Sequence, residues 1–540
     1  MTQPTHAPAA AAATPPDSAW KPLRHRHFRT LWAASFASMV GSWTSDSAAA
    51  WLMTSLSSSP VHVALVQAAM TLPMLLLGLP SGALADIVER RRLMVGTQLW
   101  VALVAFVLFA VTLSGALTAG LLLALTFANG IGMAMRMPLI AAMTPELVPR
   151  PDLGRAMALH SASMNGSRIL GPMIAGLALG WLGGAWIFLF YGVLSLAVAV
   201  WLLKLQSSER ASSLPGERFV GAMRLGVQFA RQTPQMMAVL IRSTAFGFFG
   251  IATMALLPLV ARDRLDGDAG TYALLLSSMG LGAIGAVLLM PYVRRRVSRD
   301  RLVSGAIALQ AVSMMVLAEA TSRWLAVPAS IIGGMAWVGV YNPLTVAAQI
   351  SLPDWVRARG MAVYQATTMG GVTLGSVVWG QVAELSSIEA ALVAAGAGGL
   401  LSLPLLWRYR VGGGRELDLR PANIAADFFS AQTIENDQGP VLVTMEYRID
   451  PERAEEFNAV MAESRRWRLR MGAIYWGLFR DITDPGRFVE HFLVESWLDR
   501  LRQIERLTAE DIALRDRKAQ FHLGNDPPLM THLVMESLKR

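Results

Sequence analysis

Asp46 lies inside a long apolar stretch of the chain, where hydroxyl side chains flank it at Ser42, Thr44, Ser45 and Ser47. This spacing gives one polar face to an otherwise apolar segment. A carboxylate that is removed from water loses stability in its charged form, and it can therefore take up and release a proton. We interpret Asp46 as the candidate for proton coupling; a capped or ion-paired structural aspartate is the alternative.

Arg136 and Arg168 also lie in apolar stretches, and both are candidate cavity charges. Arg136 precedes Pro138 near the expected end of its segment, so it either faces a cavity or extends its long side chain to a polar interface. Arg168 either anchors an anionic group or pairs with a carboxylate. Arg242 and Glu384 lie near expected segment ends, where an interfacial position is the simpler interpretation.

Other kinds of chemistry lack the residues that they need. The chain has no cysteine, which excludes disulfides, thiolate metal ligands and a thiol nucleophile. His491, His522 and His532 do not have metal-ligand spacing. No phosphate loop of the G-x-x-x-x-G-K-[ST] type is present, which argues against an ATP-driven pump. We therefore predict no catalytic residue, no metal site and no cofactor.

The elements that must position these charges are membrane-spanning helices. Of the 540 residues, 54% are hydrophobic and only 16% are charged, which is not the composition of an ordinary soluble protein. A helix needs about 20 apolar residues to cross a hydrocarbon core about 30 Å thick. Twelve runs approach this length: 31–54, 62–81, 93–113, 117–138, 157–181, 185–203, 237–260, 271–292, 302–320, 324–348, 360–383 and 389–407.

The basic residues between these runs lie almost all on one side of the expected membrane. Only Arg262, Arg264 and Arg323 fall on the other side. Because Lys and Arg are retained on the cytoplasmic side, we predict a multi-pass protein of the inner (cytoplasmic) membrane with both termini in the cytoplasm. The net charge of +9 is thereby explained without a nucleic-acid partner.

A polar segment at 205–236 divides the runs six and six. Apolar residues recur in it at helical spacing, which favours an amphipathic helix on the membrane surface over a solvated linker: Phe219, Met223, Val227 and Ala230. The halves also repeat at a constant displacement, which sets Gly171 on Gly375 and Gly176 on Gly380. Parallel six-helix repeats typically enclose a substrate site near the midplane.

A short charged turn at 82–92 connects the second and third runs. It contains Gly82, Asp86, Arg90 and Arg91 in the order G-x-x-x-D-x-x-x-R-R. This order resembles the loop between helices 2 and 3 of the major facilitator superfamily, except that Glu89 stands where the family usually has glycine. The resemblance implies a cytoplasmic gating loop in which Asp86 latches the two halves in the outward-facing state. Any charged membrane hairpin is the alternative.

The run from Arg168 to Gly176 resembles the helix-5 antiporter motif of the same superfamily. The match rests on Gly171, Pro172 and Gly176, whereas Ala175 replaces a common glycine. Small residues allow close helix packing, and Pro172 removes one backbone hydrogen bond. In the family this motif accompanies export rather than uptake.

The first 410 residues as a whole resemble the enterobactin-exporter-like branch of the superfamily. The resemblance includes Trp32, Trp51–Thr54, Leu84–Asp86 and Arg90–Leu93. Members of that branch are proton-driven exporters of siderophores or drugs, which is what the resemblance implies for this chain.

A separate polar domain follows the last run. Its pattern predicts strands, helices and turns in a ferredoxin-like βαββαβ order: 441–447, 451–470, 473–480, 487–494, 498–521 and 531–537. The domain resembles the antibiotic-biosynthesis-monooxygenase-like group, whose members often pair as dimeric α+β barrels. This resemblance implies a possible homodimer through the C-terminal domain. Because no catalytic constellation is visible, we favour an accessory, dimerising or ligand-sensing module.

Together these patterns predict an α-helical membrane protein with a twelve-helix major facilitator fold, built as a 6+6 pseudo-repeat, plus a small cytoplasmic α+β domain. The expected parts are a disordered tail, the first bundle, a linker, the second bundle, a second linker and the ferredoxin-like domain: 1–30, 31–204, 205–236, 237–410, 411–439 and 440–540.

The predicted function is secondary active transport by alternating access. We expect a proton-coupled exporter of small organic molecules in the lipid bilayer, not an enzyme. The alternative is a membrane-tethered enzyme or sensor whose C-terminal domain modifies or senses the ligand.

Overall fold

The computed structural model describes residues 20–87, 89–204, 219–412, 435, 437–524 and 526–536. Twelve long helices in these ranges correspond to the twelve predicted runs, and one shorter helix, α7, separates them into two sets of six. The helices are α1 (Arg26–Leu56), α2 (Pro60–Ile87), α3 (Arg90–Leu113), α4 (Ala119–Leu147), α5 (Leu153–Trp181), α6 (Gly184–Leu202), α7 (Phe219–Gln232), α8 (Pro234–Leu259), α9 (Ala269–Arg294), α10 (Arg299–Glu319), α11 (Arg323–Ile350), α12 (Asp354–Leu385) and α13 (Ile388–Trp407).

Nine of these helices, within the described ranges, are long and apolar enough to cross a membrane. The other three long helices, α1, α5 and α12, carry more polar side chains, among them Asp46, Arg168 and Glu384. The predicted α-helical membrane fold is therefore confirmed, and Asp46 and Arg168 lie on two of its more polar helices.

The two sets of six helices pack in the same way. In the first half α1 packs on α5, α2 on α4 and α3 on α6. The second half repeats these pairs as α8 on α12, α9 on α11 and α10 on α13. The halves meet along α2 with α12 and along α5 with α9. This internal correspondence is the predicted 6+6 pseudo-repeat.

Each half has two ends, which we name by what they carry. The far end holds the α1–α2 and α8–α9 connections; the domain end holds the α2–α3 connection and the C-terminal domain. Glycine allows the halves to touch toward the far end. A Cβ atom on Gly176 of α5 would overlap the side chain of Ala273 on α9, and one on Gly380 of α12 would lie 2.6 Å from the Ala64 Cβ of α2.

Regular secondary structure begins before residue 31, inside the disordered tail predicted at 1–30. Lys21–Arg24 form a short 3₁₀ helix and α1 begins at Arg26. Asp152 holds this segment, because the Lys21 Nζ lies 3.7 Å and the His25 Nε2 3.4 Å from its carboxylate oxygens. The prediction was therefore wrong for residues 20–30, and residues 1–19 lie outside the described ranges.

The C-terminal domain has the predicted βαββαβ order. Its strands β1 (Val441–Arg448), β2 (Tyr475–Arg480), β3 (Arg487–Val494) and β4 (Leu529–Val534) form one antiparallel sheet in the order β2-β3-β1-β4. Alternate residues of β1 and β3 are buried, so one face of the sheet packs on helices while the other is open.

The predicted charged helix at 498–521 is two helices, α15 (Trp497–Glu505) and α16 (Ala509–Ala519), whereas α14 (Ala454–Arg470) is continuous. The break falls at Thr508, whose side chain accepts a hydrogen bond from the Asp511 N–H, while the Asp511 carboxylate accepts from the Thr508 N–H. This capping box starts a new helix, which explains why the single-helix prediction was wrong.

Helix α7 connects the bundle to the C-terminal domain. Its apolar face buries Phe229 and Ala230 against α12, and the Gln228 Nε2 donates a hydrogen bond of 2.8 Å to the Ala473 carbonyl. Trp355 at the start of α12 lies between the Phe229 ring and the Arg506 guanidinium. The predicted helix is present, and part of its apolar face is covered by α12 and by the C-terminal domain.

Candidate functional site

A cavity of about 70 Å³ lies between the two halves near the middle of the helices. Helices α1, α2 and α5 of the first half and α8, α9 and α11 of the second half line it. Its charged or aromatic residues are Trp43, Asp46, Arg168, Tyr272 and Trp337. A site built from both halves changes shape when the halves move relative to each other, so it is the candidate substrate site.

Asp46 lies on the wall of this cavity. Its Oδ1 accepts a hydrogen bond of 3.4 Å from the Asn129 amide, and the Asn129 Oδ1 accepts one of 3.3 Å from the Tyr191 hydroxyl. Within the described ranges no basic side chain forms an ion pair with Asp46. Asp46 is therefore hydrogen-bonded rather than ion-paired among the described residues.

Arg168 lies in the same cavity, close to two indole rings. Its guanidinium carbon is 5.2 Å from the ring centre of Trp43 and 5.7 Å from that of Trp337. Because Trp43 belongs to α1 and Trp337 to α11, these cation–π contacts join the two halves. No carboxylate of the described residues pairs with Arg168, so the pairing alternative is not supported.

Arg136 does not line the cavity. It is only 2% exposed and donates a hydrogen bond to the Ser38 hydroxyl, which lies beside the Gln98 amide on α3. The structure thus brings Asp46 and Arg168 together and places Arg136 in a neighbouring polar network that joins α1, α3 and α4. Neither a cavity position nor an interfacial one describes it.

The helix-5 motif lies where α5 approaches α1 and α9. A Cβ atom on Gly171 would overlap Trp43, and the Thr44 hydroxyl donates a hydrogen bond of 3.1 Å to the Gly171 carbonyl. Pro172 lines the cavity, and Gly176 contacts α9. The three motif residues therefore shape the cavity and the contact between the halves.

The predicted gating loop is described only in part. Gly82 and Asp86 belong to the last turns of α2, and the Asp86 side chain lies outside the described part of the chain, so the latch stays a prediction from the sequence. Glu89 precedes α3, and its two carboxylate oxygens lie 3.4 Å from the Arg91 Nε and 2.5 Å from the Arg92 Nε. The residue that departs from the family pattern thus binds Arg91 and Arg92, which lie with Arg90 in the first turn of α3.

Two charges assigned to interfaces lie close to helix ends. Arg242 is 1% exposed and pairs at 3.1 Å with Asp300 in the first turn of α10. Glu384 lies at the far end, where its Oε2 accepts a hydrogen bond of 2.6 Å from the Ser59 hydroxyl. Glu384 belongs to α12 and Ser59 precedes α2, so this bond also ties the halves together.

A second buried polar cluster lies inside the C-terminal domain, and sequence reasoning missed it. Glu490 is completely buried and accepts hydrogen bonds from Ser464, Trp476 and Lys518 at 2.7–3.1 Å. Burial opposes its charge, but the Lys518 and Arg468 charges and these donors outweigh burial and hold the pKa of Glu490 well below its usual range. Among the described residues, no group of three potential ligands could hold a metal ion.

Sequence reasoning also missed Tyr272 and Trp337. Aromatic residues in apolar helices resemble ordinary core residues, and only the fold shows that these two face a cavity. Among the cavity aromatics, Trp43 is the one that the sequence could have indicated, because it lies one helical turn from Asp46.

Known transporters and efflux proteins resemble this chain. It is 25% identical over 292 residues to macrolide efflux protein A of Streptococcus pyogenes, covering 54% of this chain and 72% of that protein. It is 26% identical to the multidrug efflux pump Tap of Mycolicibacterium fortuitum, covering 66% and 87%. It is 23% identical to the staphyloferrin A transporter of Staphylococcus aureus, covering 49% and 66%.

Solved structures show the same fold. The nucleoside transporter NupG aligns with 71% of this chain and 100% of its own length, at a TM-score of 0.60 and 14% identity. A POT family transporter aligns with 71% of this chain and 96% of its own, at a TM-score of 0.58 and 14% identity.

The model of one transporter family, described as transmembrane secretion effector, matches residues 17–539. The match includes both six-helix halves and the C-terminal domain, and it agrees with the prediction of a small-molecule transporter rather than an enzyme. The chain therefore belongs to the transmembrane secretion effector family of major facilitator superfamily transporters.

Proposed function

We propose that this protein is a proton-coupled exporter of small organic molecules of the drug or siderophore type. The observation that carries this proposal is the cavity, which both halves line and into which Asp46 and Arg168 project. The efflux proteins among the relatives support the direction of transport. The siderophore-exporter branch is supported by the sequence resemblance and by the staphyloferrin A transporter among the relatives.

The contacts at the far end support alternating access. Arg262 of the α8–α9 connection donates to the Thr54 carbonyl of α1, Glu384 binds Ser59, and the Trp51 and Tyr272 rings stack with centres 5.7 Å apart. These contacts close the far end between the halves. The distribution of basic residues supports a position of the far end on the outer side of the membrane, with both termini in the cytoplasm. The contacts at the far end then close the protein to the outside.

The size of the cavity supports a conformational cycle. Sites for drug-sized ligands typically enclose roughly 300–1,000 Å³, whereas this cavity has about 70 Å³. Cargo of that size must therefore enter after the halves separate. Protonation of Asp46 would remove a charge from the closing cavity, because a neutral carboxyl costs less to bury than a carboxylate. Proton binding and conformational change are linked in this way.

We propose an accessory role for the C-terminal domain. Its order of strands and helices supports the antibiotic-biosynthesis-monooxygenase-like assignment, and its contacts with α7 and Trp355 support a regulatory role. We also propose that the open sheet face pairs with a second copy of the chain. Tyr475, Phe479, Leu529 and Leu533 on this face are each about half to two-thirds exposed.

The test of the transport function uses purified protein in proteoliposomes with an imposed pH gradient. Dyes, drugs and siderophores are screened for substrate-dependent proton movement in native protein, Asp46→Asn and Asp266→Asn. Asp266 is an exposed aspartate in the α8–α9 connection with φ 45°, a conformation that asparagine tolerates, so its variant is the matched control.

We expect proton movement with at least one compound in native protein and in Asp266→Asn, and its loss in Asp46→Asn. Transport without proton movement would contradict proton coupling but would still support export. Absence of transport across the panel would contradict the exporter and favour the sensor or tethered-enzyme alternative.

A further inference from the structure

The cavity contains the guanidinium of Arg168, which forms no ion pair or hydrogen bond with a described residue, and this cation indicates the charge of the substrate. We propose that Arg168 binds an anionic group of the transported molecule, so that the preferred substrates are organic anions with a flat apolar part. The inference rests on the export function proposed above and names its substrate class.

The surroundings of Arg168 leave its donors available. The guanidinium carbon lies within about 6 Å of the ring centres of both Trp43 and Trp337, so its cation–π contacts are made with these two indoles. Its N–H groups point outward in the plane of the group, and none of them donates a hydrogen bond to a described residue. A guanidinium at this position without an acceptor is costly, and a carboxylate or sulfonate would accept two parallel hydrogen bonds from it.

The remaining cavity wall fits an apolar body next to that anionic group. Tyr272 adds a third aromatic side chain, and Met70, Met254 and Met279 add flexible, polarisable ones. Aromatic and methionine side chains adapt to flat apolar ligands. An inorganic anion such as phosphate would leave this surface unused, so the geometry points to an organic anion.

Asp46 lines the same cavity as Arg168, so the charge of Asp46 also affects the binding of an anion. A negative Asp46 repels an anion, and neutralisation removes this repulsion. Replacement of Asp46 by asparagine should therefore preserve or strengthen anion binding, whereas replacement of Arg168 should abolish the preference for anions. A cationic substrate would show the opposite dependence on Asp46.

The experiment measures binding to purified full-length protein by isothermal titration calorimetry. Three probes share one ring system: 2-naphthoate, 2-naphthylmethanol and 2-naphthylmethylammonium. We expect naphthoate to bind at least about tenfold more tightly than the alcohol, because a hydrogen bond to a charged group contributes about 1.5–3 kcal/mol, or about 10- to 150-fold. Arg168→Gln should reduce this ratio to about one, and Arg168→Lys should retain part of it.

The matched control is Arg323→Gln, which removes one exposed positive charge from α11 outside the cavity. It should leave the naphthoate preference unchanged. Equal binding of naphthoate and the alcohol, tighter binding of the ammonium probe, absence of binding by all three probes, or a preference that persists in Arg168→Gln would each overturn the inference.

The anion-binding proposal and the export proposal can fail independently of each other. If the proteoliposome panel shows export of neutral or cationic compounds and Arg168→Gln exports them normally, the exporter stands and the substrate class is wrong. If no compound is exported although naphthoate binds through Arg168, the anion site stands and the exporter fails.

Discussion

A single buried carboxylate organises the interior of the C-terminal domain. Glu490 on β3 binds Lys518 of α16 and Ser464 of α14, so it joins both helical layers to the sheet. The Arg468 Nε lies 3.4 Å away on the same side. Loss of one partner from such a cluster leaves the others buried and unpaired, which costs more than the cluster itself contributes.

We expect Glu490→Gln to destabilise the domain by about 3–5 kcal/mol, the usual cost of breaking a buried ion pair. The measurement is hydrogen–deuterium exchange of β1 and β3 in the full-length protein, corrected for the pH dependence of intrinsic exchange. The control is Glu446→Gln, which breaks a partly exposed pair with Arg487 on the open face of the sheet and should cost less than the loss of the buried Glu490 cluster, about 1 kcal/mol or below.

The pH dependence of this difference follows from the depressed pKa of Glu490. A carboxyl group whose folded-state pKa lies below its unfolded value stabilises the fold above the unfolded pKa, about 4.3, and less as the pH falls below it. The difference between native protein and Glu490→Gln should therefore be full at pH 7 and smaller below about pH 4. A difference that grows toward low pH would contradict the assignment.

At the scale of the residue, the sequence indicated which charged residues lie inside the helix bundle, but it did not indicate which of them face the cavity. Asp46 and Arg168 are visible in the sequence because a charge in an apolar run is costly and needs a reason. Arg136 has the same signal, yet its side chain points into a network between helices rather than into the cavity. Only the rotation of each helix about its axis separates the two cases, and that rotation depends on packing that a single sequence does not specify.

At the scale of the element, the contact between α5 and α9 depends on one small residue. Gly176 touches Ala273, and no larger side chain fits there in this far-end-closed conformation. Overpacking typically costs about 1–3 kcal/mol. A larger residue should therefore disfavour the closed conformation relative to the open one.

We expect Gly176→Val to open the far end and to reduce export. The readout is the rate at which a cysteine introduced at Gln67, on the cavity wall, reacts with a membrane-impermeant maleimide applied from the far side. Gly180→Val is the matched control, because a Cβ atom on Gly180 of the same helix meets no atom within 4 Å. Equal reaction rates in the two variants would show that the α5–α9 contact does not hold the far end closed.

The presence of most helices and strands could be predicted from the sequence, whereas the residues at which they begin and end mostly could not, because these depend on local contacts. The run predicted at 62–81 became α2 (Pro60–Ile87), so the helix continues through Gly82 and Asp86, which the sequence assigned to the turn at 82–92. Strand β3 has its predicted bounds because its alternation is regular. The last strand lies earlier than predicted, at Leu529–Val534, where its pairing with β1 sets the register.

At the scale of the whole molecule, the open face of the sheet predicts pairing of two chains. Phe479 and Tyr475 stack on either side of His491 and remain half exposed. Exposed apolar faces of this kind mark interaction sites in soluble domains. We therefore expect the open sheet face of one copy of the chain to pack against the same face of a second copy.

We expect Phe479→Asp to convert a dimer into a monomer in detergent solution, because it places a charge on the proposed interface. Native mass spectrometry of the full-length protein measures the change. Ile482→Asp is the control, since Ile482 is almost fully exposed in the loop beside the same strand. A monomeric native protein, or a Phe479→Asp variant that remains dimeric, would rule out pairing through this face.

The attachment of the C-terminal domain to α7 and to the start of α12 has a practical consequence. The domain should move with the second half, so its distance from the domain end of the first half reports the rocking of the halves. The chain has no cysteine, and thiol-reactive spectroscopic labels therefore react only where a cysteine is introduced. Labels at Ile482 and Arg92, both well exposed, would make each transport cycle visible as a change in energy transfer between two dyes.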